Sequence, residues 1–358
     1  MKPGAEFELE VTDMAYGGDG LGRHDGRVVF VPFTIPGEVV KVRVTKAHRS
    51  WLRAELTAVL QASPDRATPP CPFFRSCGGC VYQHIAYPRQ LALKTRQVAE
   101  ALRRLGGFAS APVEEARPSP LELGYRNRIT VHIVPPDIGF RGTDPRRVVD
   151  VNRCLLADDA VNEALTRLRG RRAHRPGPAT LRSGPAGVGF RQVNDSAASI
   201  LGDVATEMAG GGALLVDAYC GSGFFAKRMR DNFTRVVGLD WDAKGIETAQ
   251  HEAQPGEEYV QGDAAEILPG ILAGQPDAVV LLDPPAQGLD PLVIAALLAA
   301  RPARIVYVSC DPATLARDLT KLGAAYNLHR AVPVDMFPQT ASIETVTRLD
   351  LQSAAHAA

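Results

Sequence analysis

The stretch IVYVSCDPATLARDL (305–319) sets a lone thiol, Cys310, between a short apolar, partly β-branched run and an Asp-Pro pair. The run reads as a buried strand, while Asp311 and Pro312 read as the cap and first residue of a helix through Leu319. Cys310 is therefore expected where a strand ends and a helix begins. Open α/β sheets carry functional groups there, and a helix N-terminus favours thiolate over thiol. A small packed hydrophobe is the competing reading. Other strand ends carry acids. VDAYCGSGFFAKRM (216–229) places Asp217 at a strand end, then Gly221 and Gly223, then a helix, which lets backbone approach a ligand closely. The spacing is not Gly-x-Gly-x-x-Gly, which disfavours a dinucleotide. The next strand ends in Asp240, placed to accept from ribose hydroxyls, and VQGD then offers Asp263 near an adenine edge. In LLDPPAQG (281–288) two prolines make a rigid turn that holds Asp283 at the carboxyl edge of the sheet.

The glycine loop with a correctly spaced Asp240 resembles the S-adenosylmethionine site of class I methyltransferases. Such a donor gives the thiol a use. Carbon 5 of uracil is a poor nucleophile towards a sulfonium methyl group. A thiolate adding to carbon 6 converts the ring to an enolate that is nucleophilic at carbon 5. After transfer, a base must remove the carbon-5 proton so that the thiol can leave. Cys310 can serve as the nucleophile, and Glu344, within MFPQTASIETV (336–346), as the base. Taken alone, that glutamate would read as a surface residue.

Four of the remaining cysteines fall in a Cys71-x5-Cys77-x2-Cys80 cluster with Cys154 far downstream. Four thiolates can hold Zn²⁺ or a [4Fe–4S] cluster. Spacing alone leans to zinc, although the usual second Cys-x2-Cys is missing. Cys220, inside the glycine loop, reads as packed.

These residues need elements to position them, and 358 residues suffice for two or three domains with a sizeable core. The chain is 45% hydrophobic and 22% charged, as expected of a soluble globular protein, and MKPGAEFELE has no apolar leader core. A cytoplasmic protein with reduced cysteines follows as the expectation. Net charge is zero, but unevenly spread: through Asp195 there are 29 Lys and Arg against 20 Asp and Glu, and beyond it 11 against 20. A basic front suggests a polyanion binder joined to a domain with another task. Residues 1–61 alternate β-rich runs (EFELEVTDM, GRVVFVPF, EVVKVRVT) with glycine turns (YGGDGLG, TIPGE), which predicts a small OB-like barrel. Lys41, Arg43, Lys46, His48, Arg49, Trp51 and Arg53 give it a face suited to single-stranded nucleic acid. ASPDRATPP (62–70) reads as a linker, and 62–195 as a central domain carrying the cysteines and a helix over 88–105. Its arginine-rich RLRGRRAHR (167–175) is an RNA contact or a solvated loop. From 196 to 358 strands and helices alternate, which predicts a doubly wound, mainly parallel sheet of Rossmann-like α/β class.

Over nearly its full length the chain resembles RNA 5-methyluridine (uracil-C5) methyltransferases of the iron–sulfur class, near the large-subunit ribosomal RNA enzymes. The likeness rests on CPFFRSCGGC, GYRNR, FRQVN, DAYCGSG, LDPPAQG, VSCDPATLARDL and MFPQTASIETV, behind a TRAM-like barrel. It implies a [4Fe–4S] cluster rather than zinc on Cys71, Cys77, Cys80 and Cys154, structural or RNA-contacting rather than redox-active. It also implies a donor and base pocket lined by Gln192, Tyr219, Asp240 and Asp283, with Cys310 as nucleophile and Glu344 as base. The expected substrate is 23S ribosomal RNA, with tRNA as the alternative, and the expected state a monomer. Ala286 and Ser342 depart from the family, which usually has Arg and often His there. Two other readings are RNA cytosine-5 methylation by the same covalent logic and a non-catalytic iron–sulfur RNA-binding protein on this scaffold.

Overall fold

In the computed structural model, which describes residues 1–171, 175–184 and 192–352, the first six strands are β1 (Glu6–Glu10), β2 (Asp13–Met14), β3 (Asp19–His24), β4 (Arg27–Pro32), β5 (Val39–Ala47) and β6 (Trp51–Gln61). They form one sheet in the order β1-β5-β6-β4-β3-β2, antiparallel except for β4 with β6. Alternation places Val29, Val31, Val40, Val42, Val44 and Leu52 on one interior face, as the period of two requires. The glycine run expected to be turn is partly strand β3. At Gly20 a Cβ would stand 2.0 Å from Thr34 Oγ1, and at Gly22 2.4 Å from the Glu10 carbonyl. These glycines permit close strand approach; the turn itself is made by Gly17 and Gly18, both at φ +100°. The linker is also anchored: Arg66 donates to the buried Glu38 carboxylate (Nη2 to Oε2, 2.7 Å).

Helix α1 (Tyr87–Arg104) follows, one residue from the expected start. Strands β7 (Arg128–Val134), β8 (Asp137–Arg141), β9 (Val148–Asp150) and β10 (Gly177–Arg182) make a second antiparallel sheet, in the order β10-β7-β8-β9. Helix α2 (Asp159–Arg169) packs Val161 and Leu165 against Ile129, Val131 and Ile133 of its inner face. The arginine-rich stretch begins inside α2, where Arg169 clamps Asp150; residues 172–174 lie outside the described residues, as do Phe190 and Arg191 of FRQVN.

The third sheet has seven strands: β11 (Gly212–Ala218), β12 (Phe233–Asp240), β13 (Glu257–Gln261), β14 (Val279–Leu282), β15 (Arg304–Ser309), β16 (Tyr326–Val334) and β17 (Glu344–Leu351). Their order is β13-β12-β11-β14-β15-β17-β16. The first five of that order pair in parallel, while β17 runs antiparallel to both β15 and β16. The alternating helices are α3 (Asp195–Ala209), α4 (Phe224–Met229), α5 (Ala243–His251), α6 (Ala264–Leu272), α7 (Pro291–Ala300) and α8 (Pro312–Leu322). The strand order reverses between β11 and β14, which opens a crevice at their carboxyl ends. One unit of the chain comprises Met1–Lys94, Leu121–Ser183 and Phe337–Ser342; the other comprises Thr95–Pro120, Gly184–Met336 and Ile343–Ala358. No helix among the described residues is long and apolar enough to cross a membrane.

Candidate active site and cysteine centre

The crevice is a cavity of about 710 Å³ at the carboxyl edge of the third sheet. Each strand end contributes one chemical group. Tyr219 lies one residue past β11, Asp240 ends β12, Asp283 lies one past β14 and Cys310 one past β15. Glu344 comes from the other direction. Because β17 is antiparallel to β15, with Thr345 opposite Ser309, its first residue arrives beside Cys310 at the same edge. Gln192, Gly221 and Asp263 complete the expected lining. Gly223 does not border the cavity; at φ +85° it caps α4, and a Cβ there would come within 3.1 Å of the Tyr259 ring.

Backbone hydrogen bonds hold this edge in shape. The Tyr219 and Cys220 amides both donate to the Leu239 carbonyl, at 2.9 and 3.0 Å, and Tyr219 takes φ +76°. That conformation costs a non-glycine residue roughly 1–2 kcal/mol and places its side chain on the cavity wall. Asp240 accepts from the Gly221 amide through Oδ2 and from the Asp242 amide through Oδ1, each at 2.8 Å. Each oxygen keeps a second lone pair for a ligand hydroxyl. Asp263 caps α6, accepting from the Ala265 amide at 2.9 Å, and is otherwise exposed at the rim. As expected, Asp311 caps α8, accepting from the Thr314 amide at 2.7 Å.

The site is acidic and poorly solvated. Burial, then the Asp240 charge, pushes Asp283 up to about 7. Burial, then Asp283, holds Glu344 well above the ordinary carboxylate range. The Cys310 thiol rises to about 11, through burial first, then Glu344 and Asp283. Beneath the cavity floor Asp217 is fully buried and pushed up to about 8, although it accepts from the Ala226 amide at 2.9 Å. A cationic ligand would relieve this repulsion. Among the lining residues that the sequence reading did not single out are Trp241, 82% exposed, and Phe224. The available signal for the first was an aromatic directly after the strand-ending acid. Cys220 also borders the cavity, but its sulfur packs towards β12, 3.0 Å from where a Gly238 Cβ would be. Ala286 is exposed, its carbonyl accepting from Thr314 Oγ1 at 3.1 Å; Ser342 does not line the cavity.

In the other unit Cys71, Cys77, Cys80 and Cys154 border one cavity of about 70 Å³, all four as free cysteines. Among the described residues no three Cys, His, Asp or Glu side chains converge as ligands of a single metal ion. The Gly79 amide donates to Cys77 Sγ at 3.4 Å, and Asn162 clasps Cys154 through its amide (2.9 Å) and carbonyl (3.0 Å). Burial raises the Cys77, Cys80 and Cys154 thiols, Cys80 to about 12, a penalty on the thiolate that bound metal would offset.

On the barrel most of the expected basic face is neutralised. Glu6 pairs with Lys41 and Arg43, Glu55 with Arg43, and Asp19 with Arg53. At the β5–β6 turn, by contrast, Trp51 carries a stacked His48 (ring centroids 5.3 Å apart) and Lys46 5.6 Å from its ring.

Comparison with known proteins agrees with this arrangement. Residues 1–57 match the model of the TRAM domain, residues 216–283 that of a methyltransferase domain, and residues 274–351 that of the tRNA (Uracil-5-)-methyltransferase family. An uncharacterized RNA methyltransferase of Gloeobacter violaceus is 33% identical over 98% of both chains. One of Nitratidesulfovibrio vulgaris is 31% identical over 97% of this chain and 96% of its own. The crystal structure of Pyrococcus abyssi tRNA (uracil-54, C5)-methyltransferase with S-adenosyl-L-homocysteine superposes with a TM-score of 0.71. It covers 96% of this chain and all of its own, and at 23% identity the likeness establishes a shared fold. The chain belongs to the S-adenosylmethionine-dependent RNA (uracil-5-)-methyltransferase family, with a TRAM domain at its amino-terminal end.

Proposed function

We propose that this protein methylates carbon 5 of a specific uridine in 23S ribosomal RNA, through a covalent bond between Cys310 Sγ and carbon 6. The observation that carries the reading is the meeting of Cys310 and Glu344 at paired strand ends in one cavity. S-adenosylmethionine, when bound, supplies the methyl group and a positive sulfonium charge. Asp240 would hold its ribose and Asp263 its adenine, with Gln192, Tyr219 and Gly221 shaping the rest. Cys310, its thiol held up to about 11 by burial and the neighbouring acids, first loses its proton to solvent; its sulfur then bonds to carbon 6, and carbon 5 takes the methyl group. Glu344 then removes the carbon-5 proton, and the bond between Cys310 Sγ and carbon 6 breaks. Its raised proton affinity makes Glu344 a stronger base than a solvated glutamate once ionised. Asp283, fixed by Pro284 and Pro285, orients the base.

The residues fit a [4Fe–4S] cluster on Cys71, Cys77, Cys80 and Cys154. Four thiols bordering one cavity supply the four ligands such a cluster takes. We read three functional parts: an RNA-binding barrel over 1–61, a central cysteine-bearing domain over 62–195 and the methyltransferase domain over 196–358. A cytoplasmic monomer accommodates all three. The matched family model and the Pyrococcus structure are both named for tRNA, which favours tRNA as the second reading of the substrate. Cytosine-5 methylation would call for a second thiol facing the base, and Cys220 packs away from it.

Mass spectrometry of nucleosides from separated 23S RNA and tRNA of a deletion strain tests the substrate; loss of 5-methyluridine from tRNA alone refutes the ribosomal target. Incubation with 5-fluorouridine RNA tests the bond, because fluorine cannot leave as a proton does. A denaturation-resistant adduct with the native protein and none with Cys310→Ala is expected. Turnover by Cys310→Ala overturns the covalent step.

A further inference from the structure

We infer that Arg126, half-buried at the four-cysteine centre, is its counter-ion and sets the reduction potential of its cluster; this rests on the iron–sulfur reading above. Arg126 borders the same cavity as Cys71, Cys77, Cys80 and Cys154. Its backbone is latched beyond Cys154 on both sides: its amide donates to the Leu156 carbonyl at 2.7 Å, and its carbonyl accepts from the Asp158 amide at 3.0 Å. Its side chain lies 5.8 Å from the Tyr125 ring centroid, with Nε 3.5 Å from the Tyr125 hydroxyl. The Tyr125 hydroxyl in turn donates to the Pro338 carbonyl at 2.9 Å, which fixes the ring.

No carboxylate among the described residues pairs with Arg126. The other arginine at this cavity, Arg153, pairs with Asp159 at 2.8 Å. A half-buried guanidinium with no carboxylate beside it has lost part of its hydration, so negative charge inside the cavity would favour it. Four thiolates around a [4Fe–4S] core carry roughly two negative charges, and one more after one-electron reduction, so a nearby cation favours the reduced form. Removing that cation should therefore lower the potential.

The experiment uses full-length protein purified without oxygen, as the native chain, Arg126→Gln and Arg126→Lys. Iron and sulfide content, visible absorption and an electron-paramagnetic redox titration are measured for each. Arg126→Gln with a full cluster should need a more negative poise for half-reduction. A tenfold change in the reduced-to-oxidised ratio at fixed poise corresponds to about 59 mV for one electron. Arg126→Lys, which keeps the charge, should titrate near the native chain. Should Arg126→Gln lose the cluster while Arg126→Lys keeps it, the charge is again what holds the centre. An unshifted potential in a fully loaded Arg126→Gln overturns the inference alone. So does cluster loss in both variants with native melting behaviour. Zinc in place of iron in the native chain overturns the cluster reading, and the inference with it.

Discussion

Acidifying the buffer should weaken S-adenosylmethionine binding through Asp283. In the empty site burial and Asp240 raise this carboxyl from 3.8 to about 7, so below pH 7 it holds a proton. A cationic donor favours the ionised form, and binding must then expel that proton. The sign follows: affinity is full above pH 7 and falls as pH drops below it. If the bound donor returns Asp283 to the ordinary carboxylate range, each pH unit costs one decade, about 1.4 kcal/mol. At pH 5 that is about two decades. Asp283 keeps part of its surface open to the cavity, and water there screens the interaction, which places the loss between about ten- and a hundredfold. Asp217 should contribute little below pH 7, since it is fully buried and, pushed up to about 8, keeps its proton there. Isothermal titration calorimetry at several pH values, in buffers of different ionisation enthalpy, reads both affinity and protons released. Near pH 6 the release should approach one proton per donor. S-adenosylhomocysteine, without the sulfonium charge, should show a shallower dependence. Asp283→Asn should bind weakly at every pH, with a flat profile. Native affinity that stays constant from pH 5 to 8, or an Asp283→Asn profile as steep as the native one, would refute the reasoning.

Glu344→Gln should permit addition and methyl transfer but stall elimination, lowering turnover by about 10²–10⁴-fold while a methylated protein–RNA adduct accumulates on denaturing gels; slow turnover with no adduct would remove Glu344 as the base. Gly238→Ala sets a Cβ 2.5 Å from the Tyr259 ring and should destabilise the protein by about 1–3 kcal/mol, read as a lower Tm; an unchanged Tm would contradict the packing described. Trp51→Ala should weaken RNA binding by about 1–3 kcal/mol for one stacked base, and Lys46→Ala with Arg49→Ala should flatten its salt dependence by about 0.7 to 0.9 in log–log slope per lost phosphate contact. Equal binding by these variants would take the barrel turn out of RNA recognition. Anaerobically purified protein should be brown with about four iron and four sulfide per chain, and Cys154→Ser should lose that colour; stoichiometric zinc would sink the cluster.

Local chemistry by itself determined a good part of this protein. Asp311-Pro312 after an apolar run specified the strand end and helix start around Cys310, because capping and proline geometry act within a few residues. The same short-range signals located Asp240 behind the glycine loop and Asp283 before its two prolines. Other features depended on partners remote in sequence. Gly20 and Gly22 looked like turn residues, yet β3 runs through them by pairing with β4, and Thr34 and Glu10 leave no room there for a side chain. Lys41, Arg43 and Arg53 looked like an open basic face until the sheet brought Glu6, Glu55 and Asp19 beside them. Tyr326–Val334 carries little alternation and became a strand by pairing with β17. That pairing order matters most at the site. A parallel last strand would have delivered Glu344 to the opposite edge of the sheet, and only its antiparallel insertion between β15 and β16 sets it beside Cys310. Residue types and short spacings fix backbone turns, whereas strand order and direction are properties of the whole sheet, settled by which apolar faces can be buried together.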